Sequence, residues 1–211
     1  MPSTRTFLKN HFATVRSVIT QPRQFYQDMP TSGSLKEPLN FAILTIIINS
    51  LLFVNLLLVA SIPFIFLDSG VTYYIILHLI PEFLFFVLIM PASISLIACF
   101  FHIILKTFDA KGSFEATLQV FSYSLSISYV VLIAVFIFIM IFILVGVTGL
   151  HGVSTFIPFI IIMAVILGPV YYSFYILVEG LSQVHHISIK HVTLVILGIL
   201  ATPIFQPRNP Q

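Results

Sequence analysis

The chain of 211 residues is 59% hydrophobic and only 8% charged, and its mean hydropathy is +1.11. An ordinary soluble domain is about a quarter charged, so this composition excludes water as the main solvent of the protein. Several apolar runs reach about 20 residues, the length that crosses a hydrocarbon core of about 30 Å. The composition therefore predicts an all-α, polytopic membrane helical bundle. A net charge of +2 without a basic run gives no reason to expect a nucleic-acid partner.

The N-terminal segment has its own pattern, with apolar residues recurring at helical spacing between residues 4 and 21. The basic residues of the other side are Arg5, Lys9 and Arg16. This arrangement predicts an amphipathic interfacial helix lying on the membrane surface and ended by Pro22, with Phe25 and Tyr26 entering the interface after it. The alternative is a short helix packed on the protein's own cytosolic loops.

Five apolar segments follow. We predict membrane spans at residues 39–66, 83–105, 125–147, 156–178 and 187–205. The chain then divides into a cytoplasmic segment 1–38, a five-span membrane domain 39–205 and a short tail 206–211.

The apolar stretch from 71 to 107 is too long for one crossing, and Pro81 and Glu82 divide it. A charged Glu82 at mid-membrane would cost about 3 kcal/mol, so residues 71–80 are predicted to be interfacial or re-entrant. Pro91 is expected to kink the span that follows. His78 lies four residues before Glu82, but the intervening proline and the lack of further ligands argue against a metal site. No metal and no other cofactor is predicted.

The positions of the positive residues predict the orientation of the bundle. Five of the nine Lys and Arg precede the first span, Lys106 and Lys111 lie between spans two and three, and Lys190 lies between spans four and five. The opposite side receives only Arg208. The positive-inside rule therefore predicts a cytoplasmic N-terminus and a C-terminus outside.

The stretch "TFDAKGSFEAT" is predicted to be a short cytoplasmic loop that leads into the third span. Ser113 can cap the next helix, and Glu115 occupies the first turn, where the helix dipole favours an anion. The serines that follow form two stripes at a spacing of four, along which neighbouring helices can approach closely. The stripes are Ser122 with Ser126, and Ser124 with Ser128.

Polar residues inside the spans are candidates for packing or function. Asn49 and Asn55 are interpreted as hydrogen-bonding to other helices, and a role in a substrate path is the alternative. Tyr123 suits the water interface or a hydrogen bond inside the bundle. His102 and Glu179 are the deepest ionisable residues of this layout, where a proton-coupled permease would place them, although they can equally pair or reach towards the interface.

The segment "EGLSQVHHISIKH" places His185 and His186 at the cytoplasmic end of span four. Such a pair could sense pH or relay protons, but we prefer to interpret both as solvated interface residues near lipid phosphates. Lys111 is a further candidate for contact with anionic lipid or a partner. No HExxH, GxSxG or glycine-rich phosphate loop occurs in the sequence, so no enzyme is predicted.

With this order of segments, the chain resembles the Yip1 domain family. The similar motifs are "P-x-x-F-Y" at Pro22, Phe25 and Tyr26, then "KGSFEATLQVFSYS", then "EGLSQVHHIS" at residues 179–188. Ile127 stands near the place where bacterial relatives commonly have a proline, so the resemblance does not carry a proline kink to this position.

The resemblance implies a non-enzymatic integral membrane protein of the bacterial inner membrane that acts as a membrane organiser or adaptor. The Asp-Leu-Tyr-Gly-Pro motif of eukaryotic members is absent, so their link to Rab GTPases and vesicle budding is not carried over. The candidate partners are the lipid bilayer, a membrane or cytosolic protein, and a second copy of the chain. The alternative function is a small permease or channel with a path lined by the proline-interrupted spans.

Overall fold

The computed structural model describes residues 4–30, 34–65, 69–148 and 156–201, and within these ranges every regular element is helical. The helices are α1 (Thr4–Thr20), α2 (Pro22–Gln27), α3 (Lys36–Ile65), α4 (Ser69–Lys106), α5 (Phe114–Ser124), α6 (Ser128–Thr148), α7 (Phe156–His185) and α8 (Ile189–Ala201), with a 3₁₀ turn at Leu125–Ile127. The predicted all-α class is confirmed. The loop 149–155 and the tail 206–211 lie outside the described residues.

Three segments of the described chain are long and apolar enough to cross a membrane. They are Lys36–Leu56, Val87–Lys106 and Phe114–Phe138, and a shorter apolar helix runs from Ile189 to Gly198. The first two fall within or close to predicted spans one and two. Spans four and five coincide with α7 and α8, of 30 and 13 residues, but the count of five crossings remains a prediction.

Helix α4 corrects the expected break near Pro81. It runs without interruption for 38 residues and contains both Pro81 and Pro91. A proline removes one backbone hydrogen bond, but any wider break in an apolar environment would leave several polar groups unsatisfied, so the helix continues. Helix α7 likewise continues through Pro169. The interfacial position of residues 71–80 remains a prediction, and the side chains of His78 and Glu82 lie outside the description.

The third predicted span begins earlier than residue 125. Ser113 caps α5 as expected, its hydroxyl accepting from the backbone N–H of Ala116 at 3.2 Å. Helix α5 passes through the 3₁₀ turn directly into α6. Next to this turn the hydroxyls of Ser124 and Ser128 donate to the carbonyls of Phe121 and Leu125, so serines accompany a backbone irregularity that no proline causes.

Helix α5 lies at the centre of the described packing, against α3, α4 and α7. One buried cluster joins α3, α4 and α5 through Ile46, Ala98 and Leu118. A larger cluster joins α2, α4, α5, α7 and α8, and its fully buried members include Tyr26, Leu105, Val120, Leu181 and Val192. Both clusters lie towards the end of the bundle that carries α1 and α2. We call this end, formed by α1, α2, residues 107–128 and residues 179–188, the polar end.

Candidate functional site

The N-terminal module of α1 and α2 is docked on the polar end of the bundle. Tyr26 is only 1% exposed and packs against Gly180 of α7, where an added Cβ would lie 2.9 Å from the tyrosine ring and 2.7 Å from Val120 Cγ1. Residue 180 is therefore a glycine, which has no side chain, at the position where the Tyr26 ring needs space. Tyr26 therefore does not enter the membrane interface as predicted, because the bundle itself covers its ring.

An ion pair lies beside this contact. The guanidinium Nε of Arg23 lies 3.8 Å from Oε1 of Glu179, and Gln183 Nε2 donates to the same oxygen at 2.9 Å. Glu179 is 4% exposed, so its two polar neighbours offset the cost of placing a carboxylate in the packed end of α7. Glu179 thus contacts α2 rather than His102, the partner that its predicted depth suggested.

Helix α1 is held by one side. Val18 is fully buried and His11 is 5% exposed, with its Nε2 atom 3.1 Å from the hydroxyl of Tyr129. Tyr172 donates its hydroxyl to the carbonyl of Ile19 at 2.6 Å. These contacts fit the alternative in which the helix packs on the protein.

The rest of the apolar face of α1 stays open. Leu8 and Phe12 are 37% and 49% exposed. The exposed basic side chains of Lys9 and Arg16 come next around the helix. The helix therefore presents an apolar strip bordered by positive charge beside the surface that it uses for docking.

Two histidines far apart in the sequence meet on one threonine. Thr117 Oγ1 lies 3.0 Å from Nδ1 of His102 and 2.8 Å from Nε2 of His185, and the two rings are 5.8 Å apart between centroids. Thr117 and His185 are both fully buried. This arrangement corrects the interpretation of His185 as a solvated interface residue, whereas His186 is exposed.

The loop before α5 closes over His185. The backbone N–H of Lys111 donates to the His185 carbonyl at 3.2 Å, while the Lys111 side chain is exposed. Gly112 lies so close that an added Cβ would be 2.5 Å from Nδ1 of the imidazole and 2.7 Å from the Val184 carbonyl. The glycine in "AKGS" is therefore required by the close approach of loop and ring.

Both helices that meet at this loop end in the same way. Asp109 after α4 and His186 after α7 have positive φ angles of 57° and 53°. The next N–H bonds back in each case, from Ala110 to Leu105 and from Ile187 to Ser182. These are Schellman caps built without glycine, so each stores some backbone strain.

Burial, together with the nearby His102, Lys106 and His186, lowers the pKa of His185 to about 4. His185 lies beyond the predicted fourth span, at the end of α7. The ring is therefore neutral near pH 7. A neutral imidazole serves the hydrogen bond to Thr117 without placing a second positive charge next to Lys106.

The remaining predicted residues lie apart from the histidines. Asn49 Nδ2 donates to Ser128 Oγ at 2.7 Å and so joins α3 to α6, as interpreted from the sequence. Asn55 instead donates to the Leu51 carbonyl of its own helix at 2.7 Å. The Asn55 side chain is exposed and meets no donor or acceptor of another helix among the described residues. Its amide therefore bonds to the backbone of its own helix.

Tyr123 lies under the N-terminal module. Its ring makes edge contacts with Phe25 at 5.3 Å and with Phe41 at 4.8 Å between centroids. Burial raises the pKa of the Tyr26 hydroxyl close by, and Tyr123 contributes to the same shift. The aromatic pair of "P-x-x-F-Y" thus packs against α5 and α7.

Sequence reasoning missed the residues that make these contacts possible. Thr117, Gly112 and Gly180 lie inside the motifs quoted above, but no spacing rule links position 117 to position 185. The available signals were a threonine in α5, a glycine in α7 and a glycine in the loop before α5. No group of three or more His, Cys, Asp or Glu that could hold a metal occurs among the described residues.

These features define a class of protein: a helical membrane bundle whose N-terminal helices are folded back onto one polar end. The chain belongs to the Yip1 family, because the model of the Yip1 domain matches residues 16–206. The resemblance seen in the sequence is thereby confirmed. Comparison with curated proteins and with solved structures gave no significant match.

Proposed function

We propose that this Yip1 family member is a non-enzymatic membrane organiser or adaptor that contacts lipid and a protein partner through its polar end. The positive-inside pattern supports a cytoplasmic location for that end, in a bacterial inner membrane. Family membership and the apolar spans support the integral membrane part of the proposal.

The observation that carries the proposal is the two-sided environment of α1. Val18 is buried against the bundle, while Leu8 and Phe12 remain exposed next to Lys9 and Arg16. An apolar strip bordered by basic side chains is the pattern of a helix that lies at an anionic membrane surface. Docking fixes the orientation of this strip relative to the spans.

Lys111 and His186 supply the second part of the surface. Both side chains are exposed, and the hydrogen bond from Lys111 N–H to the His185 carbonyl holds the loop and the end of α7 together. The Lys111 ammonium and the exposed imidazole of His186, on two elements held together, suit recognition of an acidic protein segment. The alternative of a permease is motivated by the prolines in spans two and four and by polar residues within the spans, and α4 and α7 continue as helices through those prolines.

Photo-crosslinking in native membranes tests the proposal. Probes at Phe12, Lys111 and His186 are compared with a probe at Val18, which is fully buried. We expect lipid adducts from position 12, one and the same protein from positions 111 and 186, and only intramolecular products from position 18. Capture of a second copy of the chain alone would assign the surface to self-association.

A charge-reversal variant isolates the lipid part. Lys9→Glu with Arg16→Glu should lower capture of anionic lipid at position 12 several-fold, because each basic residue near the surface adds about 1 kcal/mol of attraction. Lys190→Glu serves as the control at a different exposed position. Equal lipid capture by both variants, or no common protein at positions 111 and 186, would contradict the proposal.

A further inference from the structure

A stripe of residues on α3 is only partly covered by the rest of the described chain. Its members follow one another at intervals of four, three and four residues: Leu44, Ile48, Leu51 and Asn55. At 3.6 residues per turn these positions lie within about 60° of one another around the helix. Leu51 is 49% exposed and Asn55 is exposed, whereas Leu44 and Ile48 are partly buried. The stripe has the spacing of the a and d positions of a heptad, with Asn55 at an a position.

Asn55 places an amide near the middle of the membrane. At 1.5 Å per residue it lies roughly 4 Å from the centre of the predicted span 39–66. Its Nδ2 atom donates to the Leu51 carbonyl at 2.7 Å. Among the described residues no other helix supplies a partner for the remaining N–H or for Oδ1. In hydrocarbon an amide in this state costs free energy, and a hydrogen bond to a neighbouring helix relieves that cost.

A groove of about 310 Å³ lies beside the stripe, between α3 and α6. Its walls are Leu52, Asn55 and Leu56 of α3 and Tyr129, Leu132, Ile133 and Phe136 of α6. Ile133 and Phe136 are 59% and 43% exposed. The apolar walls can accept the side chains of another helix, but lipid tails suit them equally well. The Asn55 amide is therefore the feature that can select one occupant.

We propose that this face of α3 pairs with the same face of a second copy of the chain. All copies insert in the orientation set by their positive residues, so their α3 helices cross the membrane in the same direction. A two-fold axis along the membrane normal then brings the two helices together in parallel. In a parallel pair each a position faces its own counterpart, so the Asn55 amides of the two copies meet.

The chemistry of the amide favours a second copy over an acyl chain. An amide carries both an NH₂ donor and an oxygen acceptor, so two identical amides can form reciprocal N–H···O bonds. An acyl chain fills an apolar groove but offers no hydrogen bond. A single asparagine at an a position also specifies the register of a helix pair. The pairing concerns the spans and does not depend on the adaptor role of the polar end.

The first test measures association of the full chain in liposomes. Resonance energy transfer between copies labelled at a C-terminal tag, followed as lipid is added, gives the dimer affinity. Asn55→Leu should lower this affinity by about fivefold, because a leucine gains little over the lipid that it displaces. Asn55→Gln keeps an amide and should retain most of the affinity. Leu88→Ala, at a position of α4 that is 70% exposed, should leave the affinity unchanged.

Disulfide formation locates the contact. The single cysteine is first removed by Cys99→Ser, and Leu51→Cys is then oxidised in native membranes. We expect cross-linked dimers from position 51, fewer when Asn55→Leu is added, and none from Leu88→Cys. Asn55 contacts no other helix through a hydrogen bond among the described residues, so Asn55→Leu should leave the melting temperature in detergent close to that of the unchanged chain.

Four results would each overturn the proposal. The first is equal association of Asn55→Leu and the unchanged chain, and the second is equal cross-linking from positions 51 and 88. The third is a chain that stays monomeric at every lipid ratio, which would assign the groove to acyl chains. The fourth is cross-linking from position 51 to a different protein alone.

Discussion

Among the described residues, the polar end and the outward faces of α4 and α7 are organised in opposite ways. At the polar end the side chains of Thr117, Ser122 and His185 are fully buried. In the middle of the bundle Leu88 of α4 and Tyr171 of α7 are 70% and 76% exposed. Within the described residues, buried polar contacts are concentrated at the polar end, whereas the exposed apolar side chains of α4 and α7 suit hydrocarbon.

The largest effect should come from filling the space beneath Tyr26. Gly180→Ala places a Cβ 2.7 Å from Val120 Cγ1 and 2.9 Å from the Tyr26 ring, so we expect a loss of about 3 kcal/mol of stability. The control is Gly168→Ala in the same helix, where an added Cβ meets nothing within 4 Å. Thermal unfolding in detergent measures both. Similar melting temperatures for the two variants would show that the docked module does not depend on this contact.

The next effect tests the bridge between the histidines. Thr117→Val keeps the shape of the side chain but removes the hydroxyl that meets His102 and His185, and should cost about 2 kcal/mol. Thr20→Val removes an exposed hydroxyl that bonds within α1, and should change stability by less than about 0.5 kcal/mol. Chemical denaturation compares the pair, and equal costs would remove the distinction between a buried and an exposed threonine.

Acid should weaken the polar end before the middle of the bundle. The pKa of His185 in the folded protein is about 4, below its ordinary value of 6.5, so the unfolded chain binds the proton first as the pH falls. The stabilisation is complete above pH 6.5 and is lost between pH 6.5 and 4. Burial lowers the pKa of His11 as well, which adds an effect of the same sign.

We therefore expect the melting temperature to fall by roughly 5 °C between pH 7.5 and pH 5. His185→Gln should reduce this pH dependence, while His191→Gln, at an exposed position, should retain it. A melting temperature that is constant across this range would contradict the burial of a neutral imidazole at the end of α7.

The smallest effect is a gain. His186 has φ 53°, which costs an L-residue about 1 kcal/mol, so His186→Gly should stabilise the protein by about that amount. His191→Gly makes the same chemical change in the first turn of α8, where the ring also bonds to Ser188, and should destabilise by about 1 kcal/mol. Opposite shifts in melting temperature are the expected result, and shifts of the same sign would show that the αL position carries no strain.

The sequence predicted those features that depend on composition or on short-range pattern. Apolar runs predicted helices and a membrane protein, and the Ser113 cap followed from one serine before an acidic first turn. Asn49 was predicted to hydrogen-bond to another helix, because an amide side chain in hydrocarbon has few other hydrogen-bond partners. Motif order identified the family.

Other features needed the packed structure. The position of His185 depends on Thr117, 68 residues earlier in the chain, and nothing in the local pattern separates it from the exposed His186. The continuity of α4 was missed because Pro81 beside Glu82 was expected to break the helix, whereas backbone hydrogen bonds in an apolar environment keep it intact. Docking of α1 likewise reflects tertiary contacts that an amphipathic pattern cannot distinguish from lipid contact.

The short 3₁₀ turn at Leu125–Ile127 sets the rotation of α6 relative to α5 about their common helix axis. A 3₁₀ segment has three residues per turn instead of 3.6, so these three residues rotate the chain by about 60° more than a regular α-helix would. Ser122 and Ser126 face the protein interior, and Ser128 is turned towards Asn49 of α3. Helices α5 and α6 both pack against α3 and α7, so a change that regularised the turn would rotate α6 relative to these shared neighbours and move Ser128 away from Asn49.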